Sequence, residues 1–82
     1  MSRDRVRFTL PNDGANTARA AQRAFGLTCS QAYHAVHVKQ TIICRPSQFA
    51  RFLIYRGFNQ LNAELLPAEH HDHTLDVTRN PA

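Results

Sequence analysis

The side chains with chemistry to offer in this 82-residue chain are mostly arginines. Arg5, Arg7 and Thr9 alternate with Val6, Phe8 and Leu10, so an extended strand here puts three polar groups on one face and three apolar ones on the other. Nine of the ten basic residues are Arg, whose planar fork suits two-point contacts with phosphate, guanine or carboxylate. Within a net charge of +4, residues 1–56 carry +7 and residues 57–82 carry −3. That distribution predicts a basic body and an acidic partner, either nucleic acid or an acidic protein surface. No catalytic pair of carboxylates, glycine-rich phosphate loop or activated nucleophile can be assembled, so no enzyme and no cofactor are expected. His34 and His37 lack a third ligand, and His70, His71, Asp72 and His73 fall in a stretch without apolar periodicity. Neither group predicts a metal site. Cys29 and Cys44 form neither a CxxC pair nor a disulfide framework and are expected to fill the core.

The elements that must position these residues centre on Thr17 to Val36, which reads as helix, tight turn, helix. Ala18, Ala21, Ala24 and Phe25 repeat at helical spacing, with Arg19, Gln22 and Arg23 on the other face. Gly26 is placed to end that helix, and Thr28 or Ser30 to cap the next, in which Ala32, Tyr33, Ala35 and Val36 resume an apolar stripe. Upstream, Pro11 stops the first strand and Asn12-Asp13-Gly14 signals a turn. A helix pair joined through a Gly turn is both an ordinary packing unit and the smallest unit that presents a helix to DNA.

The strand RVRFTL, then Leu10-Pro11, a helix closed by Gly26, and Thr28-x-Ser30-Gln31-Ala32 opening a second helix resemble the ribbon-helix-helix repressors of the Arc and MetJ class. The resemblance covers about residues 3–36. It implies a strand paired across a homodimer, with Arg5, Arg7 and Thr9 reading bases and Thr28 and Ser30 at a helix start whose backbone amides meet phosphate; Arg3 and Gln31 are counted with them as DNA-binding candidates. Gly26-Leu27-Thr28-Cys29-Ser30 is also similar to the turn of a helix-turn-helix repressor, which implies Gln31, Tyr33 and His34 exposed to bases.

Downstream, VHVKQTIICR is β-branched and ends at Pro46, which predicts a strand over 36–45; whether 32–40 is helix or strand stays open between two arrangements. Ser47 can cap a helix in which Phe49, Ala50, Phe52, Leu53 and Ile54 form a broad apolar face, closed by Arg56-Gly57 with Phe58 folding back. A further turn is expected over 60–66. Arg51, Tyr55, Arg56 and Phe58 make a candidate interaction surface.

The expected fold is α+β: an N-terminal strand, a helix-turn-helix pair, a short second strand and C-terminal amphipathic helices, or alternatively a two-layer β-α-β-α sheet with helices on one face. One basic domain is expected over 1–67, with a flexible acidic, histidine-containing tail over 68–82. No apolar run long enough for a membrane span is present, so a cytoplasmic location is expected. The function expected is a small dimeric regulator binding duplex DNA through an Arg-rich strand or helix. The alternative is a protein-binding inhibitor or adaptor, such as phages encode, that docks an Arg-rich face on a larger complex.

Overall fold

A computed structural model of the chain describes residues 4–12, 15–67 and 74–80. The fold is α+β, with strands β1 (Arg5–Thr9), β2 (Thr41–Cys44), β3 (Ala63–Leu66) and β4 (Leu75–Asp76) and helices α1 (Ala15–Phe25), α2 (Cys29–His34) and α3 (Pro46–Arg56). The sheet runs β3-β1-β2-β4, antiparallel at the first two junctions and parallel at the last. Arg3, Asp13 and Gly14 lie outside the described residues, as do His70, His71, Asp72 and His73.

Alternation in β1 does what its pattern requires. Val6 and Phe8 are buried, and Leu10 continues the row just beyond the strand. They meet Ile42 and Cys44 of β2 and, from the helices, Ala20, Ala21, Ala24, Phe25, Ala32, Ala35, Val36 and Phe52. Phe8 is the hub, its ring centroid 4.8 Å from Phe49, 5.3 Å from Phe52 and 6.1 Å from Phe25. Phe25 and Phe52 stack at 5.5 Å, which joins α1 to α3.

The small side chains of α1 set how closely its neighbours approach. Ala20, Ala21 and Ala24 are buried, so α1 packs against both α2 and α3 without large side chains between them. Gly26 ends the helix with φ at 68°, a left-handed backbone that costs glycine little, while the Leu27 amide bonds back to the Gln22 carbonyl. Thr28 then caps α2: its Oγ1 accepts from the Gln31 amide at 3.1 Å, and Gln31 Oε1 accepts from the Thr28 amide at 2.9 Å.

Residues 32–40 are helical up to Lys39. The helix widens into a π-helical segment, Ala35–Lys39, and stops at Gln40, where φ is 65° and the amide bonds to the Ala35 carbonyl. The strand expected over 36–45 is therefore confined to Thr41–Cys44. Ala35 and Val36 find buried contacts against the core from a helix, and this packing outweighs the β-branched preference of the segment.

Three further expectations are corrected. Helix α3 starts with Pro46 at its first position and Arg45 as the flanking residue, so Ser47 is not the cap. The turn expected over 60–66 is instead β3, since Ala63 to Leu66 pair along the second edge of β1. The tail expectation does not hold for residues 74–80: β4 pairs with β2, Val77 is buried, and its amide donates to the Ile43 carbonyl at 2.8 Å.

Gln48 explains much of that last difference. Fully buried in α3, it donates to the Val77 carbonyl at 2.9 Å and accepts from the Arg45 amide at 2.8 Å, tying the C-terminal segment to the helix start. The C-terminus of α3 closes as its Gly predicts, with Gly57 at φ 75° and the Phe58 amide on the Leu53 carbonyl.

Candidate nucleic-acid interface

The two faces of the sheet differ in how they treat charge. Cross-strand partners share a face, so Arg5, Arg7 and Thr9 stand with Glu64 and Leu66 of β3, Thr41 and Ile43 of β2, and Asp76 of β4, opposite the helices. There Arg7 pairs with Glu64, and Arg5 reaches Asp76 at 3.2 Å. Thr9 Oγ1 lies 3.4 Å from Thr41 Oγ1. The expected base-reading trio thus sits on a largely self-neutralised surface.

The dimeric ribbon implied by the resemblance also does not form from β1. Its two edges are taken by β2 and β3 of the same chain, which leaves no edge for a second copy.

The helical side is built differently. Residues 14–63 hold no Asp or Glu, and they supply Arg19, Arg23, Lys39, Arg51 and Arg56 from the helices. Helix α2 and its π continuation stand between two grooves. On the α1 side, a groove of about 340 Å³ is lined by Arg19, Gln22, Cys29, Ala32, Tyr33 and His37, among others. On the β4 side, a cleft of about 540 Å³ is lined by Leu27, Ser30, Gln31, His34, Leu75, Asp76, Val77 and Asn80. Buried Ala32, Ala35 and Val36 root the helix in the core, so Ser30, Gln31, Tyr33 and His34 are exposed along its crest and flanks. Tyr33 and His37 face each other across one helical turn, with ring centroids 4.2 Å apart.

The predicted site residues are therefore dispersed. Ser30 is exposed on α2. Thr28 and Gln31 cap α2, so Thr28 Oγ1 and Gln31 Oε1 are each engaged by a backbone amide. Among the expected interaction surface, Arg51 is exposed, but Arg56 is an internal strap whose Nε donates to buried Thr17 Oγ1 at 2.9 Å and whose guanidinium lies 4.3 Å from the Phe58 ring centroid. Arg23, itself exposed, lies over the Tyr55 ring with its guanidinium carbon 4.5 Å from the centroid. Sequence reasoning places Arg19 and Arg23 only on the wet side of a helix; the signal that marks them is the long stretch free of carboxylates around them.

The cysteines separate as well. Cys44 is buried, and burial together with the Asp76 carboxylate, partly offset by Arg45, pushes its thiol up to about 12. Cys29 is exposed at the start of α2, contrary to its expected place in the core, because it falls on the flank that faces the groove. Among the described residues, no group of three His, Cys, Asp or Glu side chains is placed to hold a metal, and no helix is long and apolar enough to cross a membrane.

Comparison of the chain with protein-family models, with curated proteins and with solved structures finds no match.

Proposed function

We propose that the protein is a small DNA-binding regulator in which α2, rather than β1, enters the major groove of duplex DNA. The observation that carries this reading is the crest of α2, flanked by two grooves, within a stretch of chain free of carboxylates. The major groove admits a helix of ordinary width, and the segment from Cys29 to Lys39 makes a rod on the order of 16 Å long. In this docking Ser30, Tyr33 and His34 offer hydroxyl and imidazole groups to base edges, and Arg19 and Arg23 on α1 face the phosphates of the adjacent strand. Gln31 serves by holding the helix start, and its side-chain amide nitrogen is a donor that the cap does not use.

A single chain suffices for this contact. Two copies on a site with two-fold symmetry would extend it, and the interface between them would have to lie elsewhere than β1.

A second reading rests on a separate observation. Ile54 is 74% exposed on α3, close in sequence to the Arg23–Tyr55 stack, and a basic and aromatic surface of this kind also suits an acidic protein partner.

Fluorescence anisotropy with a labelled duplex of mixed sequence, run beside polyglutamate as an acidic competitor, separates the two. The DNA reading expects saturable duplex binding at about 50 mM salt that weakens when Ser30 and His34 are replaced by Ala. No measurable duplex binding under those conditions removes it.

A further inference from the structure

The groove between α1 and α2 with its π continuation is lined by chemistry that contact with duplex DNA does not require. We infer that it binds a small planar aromatic carboxylate, with the acid group on Arg19 and the ring against Tyr33. Its volume of about 340 Å³ is that of a small-ligand pocket. The walls come from two helical segments: Ala18, Arg19 and Gln22 at helical spacing on α1, and Ala32, Tyr33 and His37 on the facing one. Buried Ala32 and half-buried Ala18 keep the floor apolar and low, since neither side chain extends beyond its Cβ.

Two observations set the chemistry of the ligand. Tyr33 is 62% exposed, and its neighbour along the groove is the His37 ring, 4.2 Å away and tilted by 45°. The pair offers an aromatic wall to a flat guest, and edge or offset contacts with it favour a ring over a saturated group of the same size. Between the two rings, at Ala35, the helix turns π, a rare backbone form that concentrates at functional sites. Charge comes from the other wall. Among the described lining residues Arg19 is the one permanent charge. No carboxylate answers it: residues 14–63 hold none, and the ion pairs among the described residues engage Arg5 and Arg7 instead. A guanidinium fork takes a carboxylate at two points, and the Gln22 amide, one turn further towards Gly26, is a donor for the same group. One fork balances one negative charge, so a carboxylate suits the groove better than a doubly charged phosphate. Arg19 and Tyr33 also face DNA in the docking proposed above, so the bound acid and the duplex exclude one another; that clause alone rests on the DNA reading.

The test titrates the full chain with cinnamate, beside cinnamamide, which keeps the flat ring without the charge, and cyclohexanepropionate, which keeps the charge on a saturated form of the same skeleton. Amide correlation spectra should place the largest cinnamate shifts in residues 18–22 and 32–37, and both controls should bind about tenfold more weakly. Arg19→Gln should bring cinnamate down to the affinity of cinnamamide, and Tyr33→Ala should weaken cinnamate and cinnamamide alike; both side chains are exposed, so neither change disturbs the core. No saturation below about 1 mM cinnamate, equal affinity for acid and amide, or shifts gathered elsewhere overturns the site. Duplex titration of the same samples keeps the two readings apart: cinnamate binding without any duplex binding defeats the DNA reading and leaves the groove, whereas simultaneous binding of both defeats the exclusion.

Discussion

Arginines on the sheet and arginines on the helices look alike in the sequence and behave as two different populations. Arg5 and Arg7 stand in an ordered row, as a reader of bases would, yet Asp76 and Glu64 meet them from neighbouring strands that arrive late in the chain. Arg19 and Arg23 come from a helix within residues 14–63, which hold no acid, one lining a groove and the other laid on Tyr55. The spacing of cations along a chain says where they point; what the fold brings opposite them decides whether their charge is available to a partner.

Breaking the contrast most forcefully means reversing charge on each side. Arg19→Glu combined with Arg23→Glu should reduce duplex affinity by about a hundredfold at moderate salt, with melting little changed, because both side chains face outward. The same reversal at Arg5 and Arg7 should leave affinity within about threefold and instead destabilise the fold, since the two new carboxylates would join Glu64 and Asp76 on one face of the sheet.

Next in size is the contact that makes Asp76 available to Arg5. Gln48→Leu should cost about 2 kcal/mol in denaturant unfolding, because the buried Val77 carbonyl loses its side-chain donor, and C-terminal amides of residues 75–80 should exchange faster in the variant. Glu64→Gln is gentler. Its partner Arg7 is partly exposed, so stability should change by less than about 1 kcal/mol, and added salt should shrink the difference.

The smallest effect separates the thiols. Under native conditions a thiol reagent should modify Cys29 quickly and Cys44 only on unfolding. The folded state holds the Cys44 proton more tightly than the unfolded chain does, so that contribution to stability is complete below pH 9 and is lost as pH climbs towards 12. Cys44→Val should flatten that alkaline decline.

Much of the fold was legible in the sequence. Strict alternation identified β1 and its buried face, Gly26 and Gly57 marked two helix ends, and Thr28 marked the start of α2. These are local signals, each written within a few residues. What could not be read was decided at a distance. Val36 to Lys39 favour a strand by side-chain type, but the alanine face of α1 lets a helix pack close, and that tertiary contact won. Residues 75–77 carry too few apolar side chains to announce a strand; they form one because β2 offers an open edge and Gln48, far away in the sequence on α3, offers a donor. The site shared this fate, since the partners of Arg5 and Arg7 come from β3 and β4, both of which read in the sequence as something other than strands.

The most direct measurement is the slope of log affinity against log salt for a duplex, compared among the unaltered chain, Arg19→Ala/Arg23→Ala and Arg5→Ala/Arg7→Ala. Removing one cation from a phosphate should flatten the slope by about one, so the helix pair should flatten it by about two and the sheet pair should leave it unchanged. A slope that flattens for Arg5 and Arg7 while Arg19 and Arg23 have no effect would contradict the account and return DNA contact to the strand.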